Sequence, residues 1–202
     1  MTRRILPIAA AALAIFSGAK ADVFFDQPFA TGSLAAGASI SSGAFDIDFF
    51  LQNAQVGDPP LPTRIGNLVL GFNAYSDVAL MSEEITLFST GQLRGSGILY
   101  FNQTVVDISD PFNPVEIASF SAVLTSANTL PFSHLLTFSQ PSTAIKVRKS
   151  FVLAAPDTPE DDYSGFGQLN GRFEQVPEPT SIAALLMGGA LMARRLRKGV
   201  KR

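Results

Sequence analysis

Residues 143–153 read TAIKVRKSFVL, a segment whose pattern of side chains indicates the fold class. Four of its apolar side chains share one parity: Ile145, Val147, Phe151 and Leu153. Its polar side chains at positions 146, 148 and 150 share the other parity. Alternation with a period of two is typical of a β-strand that buries one face and exposes the other. The stretch therefore predicts a strand on the surface of an apolar core.

Other parts of the chain carry the same strand-like composition. Residues 97–109, 115–125 and 169–174 are rich in β-branched and aromatic residues or alternate in polarity, and the turn-forming segment 110–114 joins the first two. Residues 57–62 and 155–165 are predicted loops. There is no internal repeat and no long helical period. Together these features predict an all-β protein with a single antiparallel β-sandwich or jelly-roll-like domain.

Composition supports one sizeable core. The chain has 202 residues, of which 47% are hydrophobic, with 17 Phe, 3 Tyr and no Trp. A chain of this length with this apolar content folds as a single domain by default. It has no cysteine, which excludes disulfides, thiol chemistry and cysteine-ligated metal.

The charges are distributed unevenly along the chain. Nine of the 15 basic residues lie in the first 21 or the last nine positions, and of the 17 acidic residues only Glu178 lies outside 22–177. Residues 22–177 therefore keep 6 basic and 16 acidic residues, a net charge of −10. An acidic body lacks the positive surface that nucleic-acid binding requires, so nucleic acid is not an expected partner.

The N-terminus has the three parts of a secretory signal. Arg3 and Arg4 precede the apolar run 5–16, and Ala19 and Ala21 provide the small residues of a cleavage site. As a helix the 12 apolar residues span roughly 18 Å, far less than a hydrocarbon core of about 30 Å. Residues 1–21 are therefore predicted to be a signal peptide with a signal helix, which signal peptidase removes to leave Asp22 as the first residue.

The C-terminus combines three features in order. Pro177, Glu178 and Pro179 come first, followed by the uncharged run 180–193 and by a basic tail, 194–202, that includes Arg194, Arg195, Arg197 and Lys198. This arrangement resembles the PEP-CTERM sorting signal of exported bacterial proteins. The resemblance covers residues 176–202 and implies processing by the membrane protease exosortase in a Gram-negative bacterium. It also implies an association with exopolysaccharide and biofilm.

The run 180–193 indicates a transient anchor. Its 14 residues make a transmembrane helix of only about 21 Å. The basic tail is expected to stay on the cytoplasmic side of the inner membrane and to stop translocation there. The body, residues 22–175, is then expected to lie at the cell surface or outside the cell after cleavage at the Pro-Glu-Pro triplet.

An acidic cluster in the second predicted loop raises the question of metal binding. Asp157, Glu160, Asp161 and Asp162 provide oxygen ligands of the kind that Ca²⁺ prefers. Their spacing does not fit an EF-hand, so a solvated acidic loop is the favoured interpretation. No other cofactor is expected.

Candidate catalytic residues are few. His134 is the only histidine, its neighbours are apolar, and there is no Gly-x-Ser-x-Gly elbow, so a partly buried structural imidazole is favoured. Asp46 and Asp48 lie two residues apart, which places both on one face of a strand. A pair on one strand is more typical of a polar sheet face than of a glycosidase, whose carboxylates flank the scissile bond.

The sequence thus predicts a non-enzymatic exported protein of the surface or extracellular matrix, sorted by exosortase. The alternative is a polysaccharide-binding β-sandwich module, in which Tyr and Phe rings stack on apolar sugar faces. A glycan-active hydrolase is the third hypothesis.

Overall fold

The computed structural model describes residues 21–61, 63–88, 93–128, 130–156 and 161–177. Residues 22–175 form one compact unit. Its strands are β1 Phe24–Thr31, β2 Ser39–Ser42, β3 Asp46–Phe50, β4 Gln55–Gly57, β5 Ile65–Phe88, β6 Ile98–Asp107, β7 Val115–Thr125, β8 Phe132–Ala154, β9 Tyr163–Gly165 and β10 Gln168–Gln175. These pair antiparallel throughout, and the described residues contain no helix. The prediction of an antiparallel all-β fold is confirmed.

Two long strands organise the molecule. The sheet runs in the order β2-β3-β10-β5-β8-β6-β7, and β1 also pairs with β5. The first half of β5, up to Tyr75, pairs with β1 and with the second half of β8, whereas its second half pairs with β10 and with the first half of β8. The pairing of β5 with β8 shifts register around Leu80, between these halves. The strand predicted at 143–153 is therefore the second half of a longer strand that begins at Phe132.

The two halves face each other as layers. We name the layer β7-β6-β8-β5-β1, built on the second half of β8 and the first half of β5, the front layer. The back layer is β2-β3-β10-β5-β8, built on the other halves. Phe72 of the front layer packs against Phe49 and Phe173 of the back layer, with ring centroids 6.2 and 5.9 Å apart. The sheet thus closes over one core as a β-sandwich.

Aromatic rings fill much of that core, as the phenylalanine content predicts. Phe101 and Phe151 stack with centroids 4.7 Å apart, and Phe166 lies 4.8 Å from Phe151. In β8 the alternation holds as predicted: the side chains of Ile145, Val147, Phe151 and Leu153 are buried, whereas Lys146 and Arg148 are exposed. The period-two pattern thus reports correctly which face of this strand meets the core.

A second, two-stranded sheet corrects the loop predictions. Gly57 ends β4, and β4 pairs with β9, which occupies the last three positions of the predicted loop 155–165. Arg94 holds β9 in place, since its backbone N–H donates to the Tyr163 carbonyl at 2.9 Å and its guanidinium lies 5.2 Å from the centre of the Tyr163 ring. Three residues are too few to show an alternating pattern, so sequence periodicity could not reveal this strand.

Several predictions concern residues outside the described ranges. The signal helix, the helix at 180–193 and the basic tail at 194–202 all lie there. Within the part of the chain that the structure describes, no helix is long and apolar enough to cross a membrane.

Candidate functional site

The outward surface of the back layer carries three cross-strand rows of polar and aromatic side chains. We call it the polar face and define it by nine residues of β3, β10 and β5: Asp46, Asp48, Phe50, Gln168, Asn170, Arg172, Glu84, Thr86 and Phe88. Each row takes one residue from each strand, because β10 pairs with β3 on one side and with β5 on the other. All nine have the parity that points away from the core.

The first row places two aromatic rings around an amide. Phe50 and Phe88 flank Gln168 in register, and each phenylalanine is 39% exposed. Neighbouring strands are about 4.8 Å apart, so the two phenylalanines are separated by roughly 10 Å of sheet. Single exposed apolar residues are common on protein surfaces. Two rings on either side of one amide form a flat platform that offers both stacking and hydrogen bonding.

The second row is ordered by a shared carboxylate. Asp48 Oδ1 accepts hydrogen bonds from Gln168 Nε2 and Asn170 Nδ2, both at 2.9 Å. This fixes the orientation of the two amides, since a carboxylate accepts only from their NH₂ groups. Their carbonyl oxygens and Asp48 Oδ2 accept no hydrogen bond from the described residues. At the far end of the row, Thr86 Oγ1 and Ser133 Oγ share a hydrogen bond of 2.9 Å.

The third row alternates in charge. Arg172 pairs in register with Asp46 on one side and with Glu84 on the other. Within the described residues Arg172 forms no ion pair inside 4.0 Å, so its guanidinium donors remain open to solvent. With three carboxylates against one guanidinium, the polar face is acidic.

Asp46 and Asp48 lie where the sequence predicts them, on one face of β3, both half-buried. They belong to one strand rather than to opposite walls of a cleft. The structure does not bring His134 to them. Its imidazole points to the inner side of β8, half-buried, and stacks on Phe120 with ring centroids 3.7 Å apart. The expectation of a partly buried imidazole is confirmed.

The described part of the acidic segment, Asp161 and Asp162, departs from the prediction at Asp162. The Asp161 carboxylate pairs with the Arg94 guanidinium. Asp162 is fully buried, where its Oδ1 accepts hydrogen bonds from Ser96 N at 2.7 Å and Ser96 Oγ at 2.9 Å. The prediction of a solvated loop is therefore wrong for Asp162. This residue directly precedes β9, and its carboxylate is buried against the turn at Arg94–Gly97, where Ser96 donates to it.

Metal binding receives no support from the described part of this segment. Asp157 and Glu160 lie outside the described residues, and among those described no three acidic or histidine side chains gather into a metal-binding group. The sorting residues are likewise mostly outside: only Ala21 and Pro177 of the predicted processing sites are described, whereas Ala19, Glu178, Pro179, Arg194, Arg195, Arg197 and Lys198 are not.

The polar face contains residues that sequence reasoning did not single out. Phe50 has the same parity as Asp46 and Asp48, so its outward position could be read from the sequence. Its alignment with Gln168 and Phe88 could not, because these residues lie more than 100 and about 40 positions away along the chain. Strand order and register, which bring them together, are tertiary information.

Comparison with known proteins gives a weak likeness. A scan against protein-family models and a search of curated proteins find no match. Among solved structures, TmCBM61 in complex with β-1,4-galactotriose has a TM-score of 0.37 at 13% identity, covering 75% of this chain and 88% of that one.

Two further solved structures are similar at the same level. One comes from work on the promiscuous specificity of carbohydrate-binding modules of the β-sandwich superfamily, with a TM-score of 0.32, 11% identity and coverage of 79% of this chain and 58% of that one. CBM32-3 from a family 31 glycoside hydrolase of Clostridium perfringens has a TM-score of 0.30, 11% identity and coverage of 74% and 91%. Likeness at this level assigns neither a family nor a ligand to the chain.

Proposed function

We propose that the protein is a non-catalytic polysaccharide-binding β-sandwich and that the polar face is its binding surface. The observation that carries this proposal is the row Phe50–Gln168–Phe88, in which two rings, each 39% exposed, flank an amide whose orientation is fixed by Asp48. A sugar ring has an apolar face and a rim of hydroxyl groups. A surface that binds a sugar chain therefore needs aromatic platforms together with a few oriented polar groups.

The polar face offers these groups side by side. The two phenylalanines provide stacking for successive units of a linear chain, and the carbonyl oxygens of Gln168 and Asn170 accept from hydroxyl groups. The Arg172 guanidinium donates to ring or hydroxyl oxygens. Because carboxylates outnumber guanidinium groups on this face, electrostatic complementarity favours a neutral glycan over an anionic one.

The arrangement of carboxylates supports binding rather than hydrolysis. A glycosidase places an acid and a base or nucleophile on either side of the bond that it cleaves. Asp46 and Asp48 project from the same side of one strand, and Asp48 already accepts from two amides. A chain lying across the sheet would meet both carboxylates from the same direction.

Ring removal tests the binding surface. The Phe50→Ala/Phe88→Ala variant should lose roughly tenfold to a hundredfold in affinity for a neutral glycan selected from an array, since two stacking contacts contribute about 1–3 kcal/mol. Titration calorimetry on the exported protein measures this. The matched control is Phe112→Ala, which removes a ring that is 94% exposed in the turn before β7 and should leave affinity unchanged. Equal affinity in the double variant and the parent would contradict the proposal.

The resemblance at the C-terminus leads us to propose also that this module is delivered to the cell surface by exosortase. The strand β10 ends at Gln175, and Pro177, two residues later, is exposed and outside any strand. The prolines keep this segment from becoming helical, and proteases bind substrates in an extended form. On this proposal the ligand is an exopolysaccharide of the producing cell.

Replacement of Pro177, Glu178 and Pro179 by alanine tests the sorting step. Export should continue, but the full-length protein should accumulate in the inner membrane, because its cleavage site is gone. Fractionation with intact-mass analysis measures this, and replacement of Thr180 and Ser181 by alanine is the control that should be processed normally. A triple variant that reaches the outside with the mass and abundance of the parent would contradict sorting by exosortase.

A further inference from the structure

A cavity opens on the other side of the sandwich, in the outward surface of the front layer. Its volume is about 420 Å³, and it is lined by Gln27, Pro28, Phe29, Phe72, Asn73 and Lys146. This volume falls within the range of small-molecule binding sites, about 300–1,000 Å³. We call it the front cavity. It shares no residue with the polar face.

An irregularity in β1 shapes the front cavity. The pairing of β1 with β5 shifts register between Asp26 and Phe29, and Gln27 within that bulge has a φ of 49°. A left-handed conformation is uncommon for a residue other than glycine, and such residues concentrate at functional sites. The Phe29 ring lies over Gly71 of β5, where a Cβ atom would be 2.5 Å from Phe29 Cε1. The absence of a side chain at Gly71 thus lets the ring form a wall of the cavity.

Two of the six basic residues of the body lie on the outward side of β8, near this cavity. Of the six basic residues in 22–177, Arg64, Arg94 and Lys149 form ion pairs with carboxylates. Lys146 and Arg148 are exposed, and the described residues provide neither of them with an ion-pair partner. Lys146 and Arg148 thus place two cations on one strand of a body that carries a net charge of −10, and Asp26, in register with Asn73, is the carboxylate of the same cross-strand row.

Lys146 lines the cavity, and register places Arg148 next to it. Lys146 pairs with Asn73, which also lines the cavity, and Arg148 pairs with Gly71, which supports the Phe29 ring. Both side chains have the outward parity, so they lie on the same side of the sheet as Phe29. The front cavity therefore combines one lining cation, Lys146, with two amides and an aromatic wall, and Arg148 lies beside it.

We propose that the front cavity binds an acidic sugar residue, in which a sugar ring carries an anionic group. Lys146 and Arg148 pair with the anionic group, in the manner of charge-assisted hydrogen bonds to a carboxylate or sulfate. The amides of Gln27 and Asn73 meet the hydroxyl groups, and Phe29 with Pro28 covers the apolar face of the ring. This site is separate from the polar face, so the proposal is tested independently of the proposed function.

The experiment compares binding of tri-galacturonate with binding of neutral galactotriose by titration calorimetry on the exported protein at low salt. The parent should prefer tri-galacturonate, and Lys146→Gln/Arg148→Gln should weaken that binding by about tenfold or more, since hydrogen bonds to charged groups are the stronger ones. Arg172→Gln is the matched control, because it removes an exposed cation from the polar face. This control and Phe50→Ala/Phe88→Ala should bind tri-galacturonate like the parent.

Phe29→Ala separates a sugar site from a simple anion site. The ring is 41% exposed, so its removal should leave the fold intact. Binding of tri-galacturonate by the Phe29→Ala variant should weaken. A separate competition experiment on the parent, with inorganic sulfate or a sulfated galactan oligosaccharide, shows which anionic group the cavity prefers. The proposal is overturned if the parent does not distinguish tri-galacturonate from galactotriose. It is also overturned if Arg172→Gln loses as much affinity as the Lys146/Arg148 variant, or if Phe29→Ala has no effect.

Discussion

At the scale of single residues, the most unusual feature is a charged cluster in the middle of the core. Lys149 and Glu83 are fully buried and their Nζ and Oε1 atoms are 2.6 Å apart. Gln103 completes the cluster, since its Nε2 donates to Glu83 Oε2 at 2.5 Å and its Oε1 accepts from Lys149. Burial lowers the pKa of Lys149, whereas the charge of Glu83 and its hydrogen bond act in the opposite direction. Lys149 and Gln103 belong to the front layer and Glu83 to the back layer, so the cluster fixes how the layers align.

Substitution of Lys149 by Met should therefore be strongly destabilising. It leaves the Glu83 carboxylate buried without its cation, and breaking a buried pair in this way costs about 3–5 kcal/mol. Urea denaturation measures the loss. Lys146→Met, on the exposed side of the same strand, is the control and should change stability by no more than about 0.5 kcal/mol. Replacing all three members by apolar residues of similar size should recover most of the stability. Equal stability of the Lys149 and Lys146 variants would contradict the claim that the buried cluster stabilises the fold.

The sequence indicates that the Lys149 side chain is buried, but not which residues it contacts. Position 149 has the parity of Val147 and Phe151, so the alternation already places a lysine on the buried face. The identity of its partners could not be predicted, because Glu83 and Gln103 are 66 and 46 positions away.

At the scale of elements, the bends of β5 and β8 determine the sandwich. At the β8 bend, the Ser142 hydroxyl donates to Asp107 Oδ1 at 2.8 Å and Gln140 Nε2 donates to Asp107 Oδ2 at 3.3 Å. Asp107 ends β6 and also accepts from the Ser109 backbone N–H at 2.9 Å. Burial alone would raise the pKa of Asp107, but these hydrogen bonds from Ser109, Ser142 and Gln140 outweigh it and lower the pKa below 3.8.

The lowered pKa of Asp107 predicts that the stability of the fold depends on pH. The pKa of Asp107 is lower in the folded state than in the unfolded state. The ionised carboxylate therefore stabilises the fold at pH values above 3.8, and this contribution is lost as the pH falls through the lowered pKa of the folded state. Asp107→Asn should therefore melt below the parent at neutral pH, and the difference should shrink at pH values below 3.8. Glu116→Gln is the control, since the described residues give this exposed carboxylate no hydrogen bond. A difference that stays constant with pH would contradict the role of Asp107 at the bend.

Strand prediction succeeded where a strand is bounded by turn residues. The segment 115–125 is a strand with the predicted bounds, and 97–109 contains β6. The long strand β5 was not predicted, because residues 65–88 contain no proline, and turn-forming residue types such as Gly71 and Asn73 lie within the strand. Its bend comes from packing of two layers on one core, which no local pattern encodes.

At the scale of the whole molecule, the polar face and the front cavity differ in the charged groups that they present. The polar face of the back layer is acidic with two exposed rings, whereas the front cavity is lined by Lys146, with Arg148 beside it. A protein with these surfaces can hold a neutral chain on one side and an acidic sugar on the other. The sequence predicted the acidic balance of the body, but the position of Lys146 and Arg148 beside the front cavity depends on strand order.

The most direct test of the central proposal is a map of backbone amide chemical shifts on addition of the neutral glycan selected from the array. We predict that the largest changes fall in β3, β10 and the second half of β5, centred on Phe50, Gln168 and Phe88, with the front layer unchanged. Changes centred on the front layer, or no neutral glycan retained by the protein at all, would contradict the assignment of the polar face as a polysaccharide-binding surface.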